Sequence, residues 1–229
     1  MSRWEVQLLP RPLSRSEVRS IDLQSETEFH LPTLVLMENA GREAAVRLRK
    51  RLLHNEKVLI ACGPGGNGGD GAVVARYMSN WGYRVDLLWF TDPGQLQGNT
   101  LQQRQILDAS NIKQTMISSN DRLADLWNDA SWIVDGLFGT GLNRPLDGFF
   151  KAVIDSINMS ALPVMALDLP SGLDADTGML WGAAIQATFT TTFVAPKLGF
   201  LQPAATRFTG DVEVIDIGVP EVLRQSIGT

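Results

Sequence analysis

Val58-Leu59-Ile60-Ala61-Cys62-Gly63-Pro64-Gly65-Gly66-Asn67-Gly68-Gly69-Asp70-Gly71 runs from an apolar segment into six glycines within nine residues. An apolar run of this length, closed by glycine, reads as a strand buried on both faces. A helical pattern resumes over residues 71–80, so the glycines read as a strand-to-helix loop. Glycine lets such a loop approach a ligand closely and take positive φ, and the helix N-terminus behind it offers free N–H groups to an anion. Phosphate or pyrophosphate is the natural guest. Gly63, Gly65 and Gly68 also satisfy G-x-G-x-x-G, a weak pattern by itself, and a turn that merely packs strand on helix stays open. The carboxylate that such a motif places about 20 residues on is ambiguous between Asp86 and Asp92. No Gly-Lys-Ser/Thr follows, which excludes a P-loop.

Further short apolar runs recur at 85–89, 114–117, 132–134, 164–167, 190–194 and 212–215. Helical periodicity lies between several of them, at 71–80, 101–110 and 149–158, and ahead of them all at 16–30 and 32–53. Strands alternating with helices predict an α/β fold whose sheet is mostly parallel and covered on both faces, with an N-terminal helical extension. We read one domain over 1–229, with N-terminal helices at 14–53 and a sheet core at 57–220. A strand order of 3-2-1-4-5-6-7 places the first, fourth and fifth strands side by side. Ligands in such sheets bind outside the strand carboxyl ends where the order reverses, so the loops after these three strands carry the function.

Composition narrows the chemistry. The 229 residues are 44% hydrophobic and 20% charged, which is ordinary for a globular chain and excludes disorder. A net charge of -5 argues against nucleic acid as a partner. The lone Cys62 and the two histidines, His30 and His54, exclude the usual zinc sites. Residues 1–13 show no signal-peptide apolar block and no segment approaches a membrane span, so a reducing cytoplasm without membrane association is expected.

Two more loops follow strands as the first does. Asp135 ends the apolar Trp132-Ile133-Val134 and opens Gly136-Leu137-Phe138-Gly139-Thr140-Gly141-Leu142-Asn143-Arg144-Pro145. Burying a carboxylate there requires a compensating cation or hydrogen bonds, unless it merely caps its own turn. Asp168 ends residues 164–167 and opens Leu169-Pro170-Ser171-Gly172, a stretch that is also compatible with a simple rigid turn. Together Asn67, Asp135 and Ser171 offer an amide oxygen, one carboxylate and one hydroxyl. Such hard oxygens with a single negative charge suit a monovalent cation better than zinc or calcium. Gly41, inside the second helix, predicts a close backbone contact, within the subunit or across a dimer. Lys197 is read as phosphate-facing or solvated.

Five motifs in order carry a resemblance: Met37-Glu38-Asn39-Ala40-Gly41, Gly65 through Gly71, Val134-Asp135 through Leu142, Asp168 through Gly172, and Ala195-Pro196-Lys197. Over residues 21–220 they resemble the YjeF N-terminal domain family, the NAD(P)H-hydrate epimerases. The resemblance implies a Rossmann-like three-layer α/β/α sandwich, usually dimeric, that interconverts the R and S forms of hydrated NADH and NADPH. It implies a potassium ion held by Asn67, Asp135 and Ser171. It implies substrate contacts from Gly66, Asn67, Gly68, Gly69 and Asp70, from Gly139, Thr140, Gly141, Leu142, Asn143, Arg144 and Pro145, and from Asp168. Asp168, by strand-end position and resemblance, is the expected proton shuttle. One departure stands out: Gly66 replaces the first of two asparagines usual in the family, which leaves backbone contact only. Many bacterial relatives are fused to a C-terminal dehydratase domain, and this chain stops near the end of the N-terminal domain, as a fragment of such a longer protein would. A non-catalytic nucleotide-binding or protein-interaction scaffold is the alternative for this fold, disfavoured by the retained Asn67, Asp135, Asp168 and Ser171. An ordinary dehydrogenase is weakened because neither Tyr77 nor Tyr83 is followed by lysine at the fourth position.

Overall fold

The computed structural model describes residues 10–120, 122–146 and 148–227, so the leader reading of residues 1–13 lies largely outside the described residues. Two helices come first, α1 (Arg15–Thr27) and α2 (Thr33–Arg49). There follow β1 (Lys57–Cys62), α3 (Gly66–Asn80), β2 (Arg84–Trp89), α4 (Gly98–Ala109), β3 (Gln114–Met116), α5 (Leu123–Leu126) and β4 (Trp132–Gly136). The remainder is α6 (Gly148–Met159), β5 (Val164–Leu167), β6 (Phe189–Phe193), α7 (Thr206–Thr209), β7 (Asp211–Ile215) and α8 (Glu221–Ile227). The seven strands form one sheet in the order β3-β2-β1-β4-β5-β6-β7, every neighbouring pair parallel. The expected order is the observed one.

Side-chain alternation along β1 explains the layers. Val58, Ile60 and Cys62 join the core shared with α2 and α3, whereas Leu59 and Ala61 join the opposite core with Val153, Ile154 and Ile157 of α6. A strand with apolar residues on both faces can be buried only between two helical layers. The chain is therefore a three-layer α/β/α sandwich. Cys62 is fully buried, and burial, followed by the charges of Asp70 and Asp135, pushes its thiol pKa up, which makes it an inert core group. No helix among the described residues is long and apolar enough to cross a membrane.

The glycine-rich segment corrects one sequence expectation. α3 begins at Gly66, five residues before the expected start, so Gly66 through Gly71 are helix rather than loop. None of the glycines from 63 to 71 has positive φ. Their smallness is used for close packing instead. A Cβ on Gly68 would lie 2.0 Å from the Gly63 carbonyl oxygen, and one on Gly71 would lie 2.7 Å from Cys62 Sγ. Glycine's low helix propensity is overridden by this fit of α3 onto β1.

Gly41 settles where its neighbour lies. A Cβ there would meet Val73 Cβ at 2.4 Å and the Asp70 carbonyl oxygen at 2.8 Å, so α2 and α3 touch within the subunit. Gly41→Ala is expected to destabilise the fold by about 1–3 kcal/mol through overpacking, read from the urea midpoint. α1 is anchored at its start by a capping box: Glu17 N–H donates to Ser14 Oγ at 3.2 Å and Ser14 N–H to Glu17 Oε2 at 2.7 Å. Arg15 adds an ion pair to Asp174 at 2.7 Å, tying α1 to the chain after β5.

Candidate active site

The carboxyl ends of β1, β4 and β5 open onto a cavity of about 660 Å³, within the range that small-molecule sites occupy. Its walls include Gly65, Gly66, Asn67 and Asp70 from the start of α3, Phe138 through Arg144 after β4, and Asp168 after β5. α1 adds Val18, Ile21 and Asp22, and α2 adds Thr33, Leu36, Met37 and Ala40. The three loops singled out in the sequence thus meet at one crevice. Several expected contacts do not line it. Gly68 and Gly69 face Gly63 and Met37, where packing leaves no room for a side chain. Pro145 is exposed outside the lining, and Asp86, paired with Lys57 at 3.0 Å and Lys113 at 3.2 Å, is occupied elsewhere.

Beneath the floor lies a polar knot. Asp135 is wholly buried and accepts from Ser171 N–H at 2.8 Å, Ser171 O–H at 2.6 Å and Leu137 N–H at 3.2 Å. Ser171 Oγ also accepts from Phe138 N–H at 2.8 Å. The Asn67 amide donates to the Phe138 carbonyl at 3.0 Å, and Ser171 Oγ lies 3.2 Å from that same oxygen. Asn67, Asp135 and Ser171, drawn from three distant segments, therefore share one hydrogen-bond network. Burial pushes Asp135 up to about 6, against the hydrogen bonds from Ser171 and Leu137 that favour the ionised form. No lysine or arginine pairs with it among the described residues. Two N–H groups and one O–H donate to this carboxylate, and no ammonium or guanidinium pairs with it among the described residues. The neutral oxygens Ser171 Oγ and the Phe138 carbonyl belong to the same network, hard donors of the kind a monovalent cation takes.

Asp168 is built differently. It follows β5 with φ 64°, the centre of a γ-turn closed by Leu169 N–H on the Leu167 carbonyl at 2.8 Å. Val194, after β6, repeats the device with φ 67° and Ala195 N–H on the Phe193 carbonyl at 2.8 Å. A β-branched residue at positive φ is an outlier that the surroundings must enforce. The second turn aims two carbonyls at Lys197, whose Nζ donates to Phe193 and Ala195 oxygens at 3.2 Å each and to Thr192 Oγ1 at 2.9 Å. Its fourth partner is Asp168 Oδ1, at 2.6 Å. Lys197 is 0% exposed, which corrects the reading of it as phosphate-facing or solvated. It is the buried counter-charge of Asp168.

Two further carboxyls reach this end of the cavity. Asp70 is 9% exposed and makes no side-chain hydrogen bond among the described residues; burial, followed by the charges of Asp168 and Asp22, raises its pKa. Asp22 touches water at the mouth, yet protein crowding around its carboxyl and then the charge of Asp168 push it up to about 6, with Lys197 pulling the other way. Sequence reasoning missed Asp22. The only available signal was an acidic residue beside the buried Ile21 on one face of α1.

Two groups with unused donors also border the cavity. α3 starts at an uncapped Gly65, so its first N–H groups lack a side-chain acceptor. Arg144 lines the rim, exposed and without an ion pair among the described residues. A doubly covered parallel sheet with an uncapped helix N-terminus and a carboxyl-rich pocket at its switch point defines a doubly wound α/β protein. Residues 33–199 match the family described as YjeF-related protein N-terminus, and the chain belongs to it.

Several relatives are similar over most of the chain. The chain is 41% identical to the NAD(P)H-hydrate epimerase of Rhodopirellula baltica, over 93% of this chain and 87% of that one. It is 36% identical to the NAD(P)H-hydrate epimerase of Lentilactobacillus buchneri, over 92% and 96%. It is 37% identical to the bifunctional NAD(P)H-hydrate repair enzyme Nnr of Moorella thermoacetica, over 92% of this chain but only 41% of that longer one. The crystal structure of the yeast protein ynu0, YNL200c, shares the fold, with a TM-score of 0.81 at 19% identity over 96% of this chain and 94% of that one.

Proposed function

We propose that this chain interconverts the R and S forms of hydrated NADH and NADPH. The observation that carries the reading is the meeting of an uncapped glycine helix start, Arg144 and Asp168 on one cavity. The α3 N–H groups and Arg144 bind the diphosphate, which places the hydrated ring toward Asp168. Epimerisation breaks the carbon–oxygen bond beside the ring nitrogen and remakes it from the other face. The nitrogen lone pair turns the ring into an iminium cation as water leaves. Asp168 exchanges the proton, and its carboxylate favours the cation electrostatically. Asn67, Asp135 and Ser171 would hold a potassium ion, which supplies a fixed positive charge that locks the floor loops when bound. A homodimer in a cytoplasmic setting completes this reading by family resemblance.

The test is direct. Separated R and S hydrates of NADPH, incubated with the protein with and without potassium chloride, are expected to interconvert faster than in buffer alone. A rate equal to the buffer's removes the proposal. Gly66 supplies a second expectation. A Cβ there meets nothing within 4 Å, so Gly66→Asn adds a side chain to the cavity wall without disturbing the fold. We expect an unchanged melting temperature and a KM lower by roughly 3–10-fold, the worth of one added hydrogen bond.

A further inference from the structure

Inverting a hydroxylated ring carbon through loss and return of water sets a geometric demand. The hydroxyl departs from one face and the incoming water attacks the other, so proton exchange is needed on both. One fixed carboxyl serves one face. Asp168 is fixed: it ends β5 in a γ-turn and is clamped by Lys197 at 2.6 Å.

α1 lines the same cavity. Val18, Ile21 and Asp22, spaced i, i+3 and i+4, share the helix face that lines it. α1 is held rigidly there by its capping box, by Arg15 on Asp174 at 2.7 Å and by Arg15 N–H on Asp176 Oδ1 at 2.7 Å. The charge of Asp168 bears on the Asp22 carboxyl, and both bear on Asp70, which is 9% exposed and without a hydrogen bond among the described residues. Unlike Asp168, Asp22 is open to water at the mouth, so it can trade protons with solvent between turnovers.

We propose that Asp22 is the second proton-exchanging residue of the site, acting on the face of the hydrated ring opposite Asp168. The proposal rests on the epimerase reading. In one direction the Asp22 carboxyl gives its proton to the departing hydroxyl, the carbon–oxygen pair leaves with water, and the nitrogen lone pair forms the iminium bond. Water then adds from the Asp168 side, its oxygen bonding the carbon, its proton passing to the Asp168 carboxylate, and the iminium pair returning to nitrogen. The reverse reaction starts from the other protonation state. Solvent resets Asp22 at the mouth, and water entering the emptied cavity resets Asp168, which lines it.

The experiment uses the separated epimers of hydrated NADPH in ¹⁸O-labelled water, with interconversion and label entry both followed. The wild-type protein is expected to interconvert the epimers and label both. Asp22→Asn is expected to slow interconversion at least ~100-fold, while one epimer alone still exchanges its hydroxyl oxygen without inverting. Asp168→Asn is expected to leave exchange to the other epimer. Asp22→Glu, which keeps the acid, restores part of the interconversion. Asp22→Ser, with the melting temperature followed, serves if the asparagine variant folds poorly. Interconversion by Asp22→Asn at the wild-type rate, or label entering both epimers equally in the folded variant, overturns the role of Asp22. A wild-type protein that neither interconverts nor labels the hydrates overturns the epimerase reading itself.

Discussion

Asp168→Asn is expected to lower the epimerisation rate by roughly 10²–10⁴-fold, the range for removing a positioned proton-exchanging group. The change is conservative where it needs to be. Asparagine shares aspartate's tolerance of the left-handed region, so the turn at φ 64° survives. The amide oxygen still accepts the Phe193 N–H that reaches Asp168 Oδ1 at 3.2 Å. What is lost is the proton-exchanging group and the negative charge opposite Lys197. A wholly buried ammonium then keeps only neutral acceptors, Thr192 Oγ1 and the Phe193 and Ala195 carbonyls. Breaking a buried pair on one side costs about 3–5 kcal/mol when nothing else compensates, so a smaller loss of about 2–4 kcal/mol is expected here. Adding Lys197→Met to Asp168→Asn removes the orphaned charge and should recover much of that stability, without recovering the rate. Urea midpoints and epimerisation rates on the two variants separate the structural role of the pair from its chemistry. An Asp168→Asn protein that turns over like wild type shows that the proton travels elsewhere.

The same pair shows where sequence reading stops. That Asp135 and Asp168 end apolar strands is written in local pattern, because the strand period and the breakers after it are local. Alternating strands and helices imply a parallel sheet, and the doubly wound order assumed for it is the one observed. Lys197 was not legible. Its burial depends on a γ-turn at Val194 and on Asp168, 29 positions away, and a solvated lysine is the default without them. The start of α3 was hidden for a related reason. Six glycines in nine residues look like loop by propensity, and only the closeness of Gly63, Met37 and Cys62 makes them helix. Asp22 is the third instance: nothing near it in sequence says that Arg15 will reach Asp174 and swing its helix over the cavity.

Asp135→Ala is expected to be the most destabilising single change in the chain's polar network, by about 3–5 kcal/mol, and to abolish epimerisation. Three donors converge on that carboxylate, Ser171 N–H, Ser171 O–H and Leu137 N–H, and alanine gives none of them an acceptor. Ser171 O–H can turn to the Phe138 carbonyl at 3.2 Å, but the two backbone N–H groups stay buried with nothing to donate to. The damage spreads along the floor. Phe138 is held by Ser171 and by Asn67, so loosening Ser171 frees the wall that runs from Phe138 to Arg144. Asp155, half-buried on α6 and paired among the described residues with Lys151, is the control: Asp155→Ala should cost within about 0.5 kcal/mol. Asp135→Asn separates the ion from the packing. It keeps the volume and one acceptor, so a folded protein remains, but the full negative charge is gone. Under the potassium reading, potassium chloride raises the melting temperature of the wild type above that in lithium chloride of equal ionic strength, and the Asn variant shows no such difference. If both proteins respond alike to the two salts, the ion is not held by this carboxylate, and the buried charge of Asp135 is balanced by hydrogen bonds alone.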